Sequence, residues 1–161
     1  MSPNPFSNAR FETPLDIRRE IEAVKRDGAR VEAILLAQYA VSFDWRGQRW
    51  LQTVPAGFRA APSVPPALHG LVPFFGGLFE ASICHDWQYH TRCFDELTGS
   101  SKEGKRAADQ LFLALLEAAN VDPVSRSRIY AAVRMFGNEM YHENVFQPGC
   151  GPVLAASGAA A

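Results

Sequence analysis

Between Pro55 and Pro73 the chain carries Pro55, Gly57, Pro62, Pro65, Pro66, Gly70 and Pro73. Proline removes amide donors and fixes φ, and glycine loosens the backbone, so no helix or central strand can run through this interval. It reads as a long, ordered loop, a feature uncommon in compact domains and often in contact with a ligand. On either side of it the chain has a different texture.

Before the loop, Leu15, Ile17, Ile21 and Val24 alternate with Arg18, Arg19, Glu20, Glu22, Lys25 and Arg26. This spacing reads as a short amphipathic helix ending near Gly28, with Thr13 as N-cap and Pro14 in the first turn. Val31 to Trp45 and Gln48 to Val54 are β-branched and aromatic runs around Arg46-Gly47, the pattern of a β-hairpin. After the loop, apolar spacing predicts helices over about Leu78 to Arg92, Lys102 to Ala119 and Pro123 to Tyr141, punctuated at Asp95 to Ser101 and Asn120 to Asp122. The fold expected is mainly α: a three-helix core preceded by an N-terminal helix and a small β-hairpin. The organisation expected is a flexible lead over 1–13, one domain over 14–143 and a flexible tail over 144–161.

The balance of residues excludes several classes. A hydrophobic content of 47% with 20% charged residues suits a globular chain of 161 residues and argues against disorder. Sixteen Lys plus Arg against seventeen Asp plus Glu leave no surplus of positive charge for phosphates, so a nucleic-acid partner is not expected. Leu71 to Ile83, the most apolar window, is broken by Pro73, Gly76, Gly77 and Glu80, and falls short of the roughly 18 to 20 residues a transmembrane span needs. Met1 to Pro14 shows no signal peptide, so synthesis in the cytoplasm is expected, with virion association or delivery by a non-classical route both open. Cys84, Cys93 and Cys150 read as thiols, too few for a disulfide framework.

Chemistry concentrates in Cys84-His85-Asp86-Trp87-Gln88-Tyr89-His90. On a helix His85 and Tyr89 stack at i, i+4, while Asp86 lies about 100° round from His85 and one turn from His90. In the next helix Asp109 stands on the apolar side with Phe112 and Leu116, and a carboxylate at the edge of a core requires a partner. His85 is one candidate: an Asp accepting from one imidazole nitrogen fixes the tautomer and leaves the other nitrogen free as a base. The plainer reading is a surface ion pair of Asp109 with Lys105 or Arg106. Asp86 with His90 and Asp109 is also a set that zinc could use. His69 reads as a loop histidine, and His142 with Glu143 as a helix terminus.

Taken in order, His85-Asp86-x-x-Tyr89, Asp109-x-x-Phe112 and Tyr130-Ala-Ala-Val-Arg-Met-Phe-Gly137 resemble the core of the bacterial and fungal type of secreted phospholipase A2. With Val54-Pro-Ala-Gly-Phe58 and Ser63-Val-Pro65 ahead of them, the same motifs resemble an uncharacterised bacterial and phage family, the domain of unknown function 1353. The resemblance covers about Gln52 to Gly137. It implies that His85 is the general base, that Asp109 orients it and that Asp86 binds calcium together with carbonyls of the preceding loop. Tyr89 and Tyr130 would donate hydrogen bonds to Asp109. The activity implied is calcium-assisted hydrolysis of a phospholipid or other ester, at a membrane surface where the substrate is a lipid.

The chain departs from that pattern where an acid is usual in the loop: Gly57-Phe-Arg-Ala-Ala-Pro-Ser63 has Ala60 or Ala61 there. No cysteine pair matches those of the exported phospholipases. The alternative is therefore a non-catalytic phage or accessory protein that keeps the helical scaffold. Both readings share one geometric expectation, a His85 nitrogen roughly 2.6 to 3.2 Å from an Asp109 oxygen, with Asp86 facing carbonyls of the Gly57 to Gly70 loop.

Overall fold

The computed structural model describes residues 4–22, 30–60 and 77–155, with 19–22 and 30–32 described by their backbone alone. Most of the proline-rich loop, with Ala61 and His69, lies outside the described residues. Among them are seven strands and four helices: β1 (Phe6–Phe11), β2 (Ile17–Glu22), β3 (Arg30–Leu35), β4 (Tyr39–Trp45), β5 (Gln48–Val54), β6 (Arg59–Ala60), α1 (Gly77–Thr91), α2 (Asp95–Thr98), α3 (Ser101–Ala118), α4 (Pro123–Glu143) and β7 (Val153–Leu154). The strands form two antiparallel sheets, ordered β1-β4-β5-β7 and β2-β3-β6. The architecture is mixed α and β, which corrects the expectation of a mainly α fold.

The error lies in the N-terminal part. Residues 17–22, expected as helix, form β2 and pair with β3 along its whole length, from Ile17↔Leu35 to Glu22↔Arg30. Thr13 caps no helix; its Oγ1 accepts from the Ala40 amide at 2.9 Å and ties the chain to the first sheet. The expected lead contains β1, which pairs with β4. At the other end β7 adds to the free edge of β5, and the Gln52 side chain donates to the Cys150 carbonyl at 3.1 Å, so the described part of the expected tail is docked.

The hairpin around Arg46-Gly47 is the β4–β5 pair, but its expected first arm, Val31 to Trp45, is divided between β3 in the second sheet and β4 in the first. Both turn residues take positive φ, 53° and 74°, the geometry whose twist matches the flanking strands. On β4, Tyr39, Val41, Phe43 and Trp45 face inward, and Phe43 and Trp45 join Phe6 and Phe94 in an aromatic cluster with ring centroids 5.4 to 6.5 Å apart.

The three long helices lie where the apolar spacing predicts them, and their caps explain the boundaries. Ser100 accepts from the Glu103 amide at 3.2 Å, and Asp122 accepts from Val124 and Ser125 at 3.1 and 3.0 Å, with Pro123 at the first helical position. α3 packs against α1, α4 and β1, and so forms the centre of the helical layer. β6 is fixed to β3 by the register Ala33↔Ala60 and Ile34↔Arg59, and the Leu35 amide donates to the Phe58 carbonyl at 3.0 Å. That pairing brings Phe58 and Arg59 to the edge of the helical layer.

Candidate active site

One turn of helix sets His85 above Tyr89 on α1, and their rings lie 4.2 Å apart. From α3, Phe112 stacks on the imidazole at 4.4 Å and 25°. His85 Nε2 sits 3.2 Å from Asp109 Oδ1, the contact expected from the sequence. Asp109 is fully buried, and the Tyr89 hydroxyl donates to the same Oδ1 at 2.6 Å. Its second oxygen accepts from Lys105 Nζ at 2.8 Å and from Arg134 Nη1 at 3.3 Å.

The two readings of Asp109 are thus both present in one network, except that the pair with Lys105 is buried and not on the surface. Arg106 pairs with Glu103 instead, at 3.9 Å. Tyr130 makes no hydrogen bond to Asp109, and the donor that α4 supplies there is Arg134, one turn further on. Sequence reasoning gave Arg134 no role, although its i, i+4 spacing from Tyr130 puts both on one helical face. Burial alone would raise the Asp109 carboxyl; the hydrogen bond and charge of His85, then the bonds from Lys105 and Tyr89, outweigh it and hold the group at about 2. The Tyr89 hydroxyl is pushed up by burial and by the Asp109 charge, and stays a donor.

Gly137 on α4 permits this arrangement. A Cβ there would stand 2.5 Å from the Tyr89 hydroxyl oxygen and 3.0 Å from its ring, so only glycine lets α4 approach the donor that holds Asp109.

With Nε2 engaged by Asp109, Nδ1 is the remaining ring nitrogen, and it makes no hydrogen bond to a described residue. His85 opens on a cavity of about 210 Å³. Asp86, Tyr89 and His90 line it from α1, and Phe58 and Arg59 from the β6 segment; Val133, Phe136 and Met140 are among the α4 residues of its far wall. Phe136 and Met140 are exposed as well, giving the mouth an apolar rim.

Asp86 is half-buried and has no hydrogen bond or ion pair with any described residue. Burial pushes its carboxyl up to about 7. An orphaned carboxylate suits a hard cation such as calcium, which takes oxygen donors. The carbonyls expected beside it belong mostly to the loop outside the described residues. The zinc set is not assembled: among the described residues no three His, Cys, Asp or Glu side chains converge on a metal position. His142 Nδ1 lies 3.0 Å from Ser101 Oγ, away from the site. All three cysteines are free, Cys84 and Cys93 buried. No helix among the described residues is long and apolar enough to cross a membrane.

The model of a family described as protein of unknown function (DUF1353) matches residues 37–133, more than half of the chain. The matched segment runs from the start of the hairpin into α4 and contains His85, Asp86, Tyr89, Lys105, Asp109 and Tyr130. No curated protein and no solved structure matches the chain. The hairpin, the His-Asp pair and the cavity wall are therefore features of a chain that belongs to the DUF1353 family.

Proposed function

We propose that the protein is a lipid ester hydrolase of phospholipase A2 type. The observation that carries this reading is the imidazole of His85, buried on its Nε2 side against Asp109 and open on its other side to a cavity with one apolar wall. Such a pair does general base chemistry. Asp109 accepts from Nε2, and Nδ1 takes a proton from a water as that water attacks the ester carbonyl. The same nitrogen returns the proton to the leaving alkoxide. The apolar side of the cavity and the exposed Phe136 and Met140 suit an acyl chain. Asp86 would hold calcium, and the ion's part when bound is to polarise the carbonyl and stabilise the oxyanion.

The test is fatty acid release from mixed vesicles, with and without a chelator. His85→Ala and Asp109→Asn are each expected to lower the rate by about 100 to 10,000-fold. Release unchanged by either substitution would remove the catalytic roles, and release that survives the chelator would remove the calcium.

One observation favours the second reading, a non-catalytic accessory protein. Ala60 of β6 is buried and paired with Ala33 of β3, and it or Ala61 stands where the resembled pattern places an acid. Under that reading the network is a structural tie, and His85→Ala costs a few kcal/mol through the weakened environment of Asp109, with no activity to lose.

A further inference from the structure

Asp109 divides its oxygens between two kinds of donor. Oδ1 receives His85 and Tyr89, the groups that face the cavity, while Oδ2 receives two cations from different helices. Lys105 is nearly as buried as the acid, with a side chain 5% exposed. Its Nζ also reaches the Val133 carbonyl on α4 at 3.4 Å and lies 5.6 Å from the Tyr89 ring. Scaffolding alone does not call for this. A buried ion pair replaced by apolar residues of similar size is often neutral or even more stable, because desolvating an ammonium is expensive. What the cations add is direction. With Oδ2 fixed from α3 and α4, the carboxylate cannot rotate without breaking both contacts, and Oδ1 stays on His85. Because Val133 also lines the cavity, the same contacts tie the cavity wall to the imidazole.

We propose that Lys105 and Arg134 are positioning residues that act on His85 through Asp109, gripping Oδ2 so that Oδ1 is presented to Nε2. The consequence for rate rests on the hydrolase reading; the consequence for the carboxylate and the imidazole does not. The groups that face Asp109 are His85 and Tyr89 from α1, Lys105 from α3 and Arg134 from α4.

The experiment uses the full chain labelled with ¹³C at carboxyl carbons and ¹⁵N in the imidazoles, together with fatty acid release from mixed vesicles. In Lys105→Met the Asp109 carboxyl is expected to titrate about 1 to 3 pH units higher. The His85 Nε2–H proton moves to higher field, since a carboxylate no longer gripped at Oδ2 by Lys105 holds Oδ1 on Nε2 less steadily. kcat falls about 10 to 100-fold with KM unchanged, and Lys105→Arg restores all three readouts. Arg134→Gln changes a side chain that is 42% exposed and shifts the same signals by less; it carries the test if Lys105→Met does not fold. A folded variant with both signals at their wild-type positions overturns the proposal, as does one that loses only melting temperature. Moved signals with kcat unchanged in an active protein also overturn it. If the wild type releases no fatty acid while the signals move as expected, the positioning role stands and the hydrolase reading falls.

Discussion

His85 lies between two carboxylates that the fold treats in opposite ways. Asp109, on α3, accepts from four side chains on three helices and is held at about 2. Asp86, the residue after His85 on α1, has no partner among the described residues, and burial pushes it up to about 7. A carboxylate with both oxygens occupied can orient a neighbour but is closed to a ligand. A carboxylate that burial strains and that no described residue relieves has capacity left for a proton or a cation. The same side chain thus makes a fixed part of the framework at one position and, among the described residues, stands without a partner at the other.

The largest effect expected from breaking this contrast is at Asp109. Asp109→Asn leaves the buried Lys105 ammonium without its counter-charge and should lower the unfolding free energy by about 3 to 5 kcal/mol in urea titrations at neutral pH. The pH dependence points the same way. The folded carboxyl lies below its ordinary value of 3.8, so its contribution of about 2 kcal/mol is complete above about pH 4 and is lost as pH falls towards 2. Gly137→Ala should follow, costing about 1 to 3 kcal/mol because the new Cβ must push the Tyr89 hydroxyl off Asp109; loss of the Tyr89 contact is read in the same titration.

At Asp86 the sign reverses. Its folded carboxyl lies above 3.8, so the folded state keeps a proton that the unfolded chain has released, and stability falls as pH rises from about 4 to 7. Asp86→Asn should therefore stabilise the metal-free protein at pH 8 by about 1 to 2 kcal/mol, allowing for its partial exposure, with the gain shrinking towards pH 4. The smallest effect belongs to Tyr130→Phe. Since Tyr130 makes no hydrogen bond to Asp109, its unfolding free energy should stay within about 0.5 kcal/mol of wild type.

The helical half was legible because local signals settle it: a period of 3.6, the breaks at Asp95 to Ser101 and Asn120 to Asp122, and Pro123 at a helix start. His85, Tyr89 and Asp109 were legible for a related reason, since an acid on an apolar face and two residues one turn apart can be read from spacing. The strand β2 was not. Its partner β3 lies across a separate stretch of chain, and the stability of a strand comes from a neighbour that local periodicity does not contain. Thr13 and Pro14 look like a helix start, yet Thr13 serves the backbone of β4. Arg134 was missed because it reaches Asp109 from α4, a contact set by the packing of α4 against α3 and not by spacing along either helix. Lys105 reads from the sequence as a surface partner, because i, i+4 spacing gives the pair without giving its depth.

On the hydrolase reading the Asp86 carboxylate, which has no partner among the described residues, serves a ligand and not the fold. Fatty acid release from mixed vesicles in the presence of calcium, compared between the wild type and Asp86→Asn, tests it most directly. The prediction is a variant that is more stable at pH 8 yet slower by about a hundredfold or more. Release at the wild-type rate from that stabilised variant would contradict it.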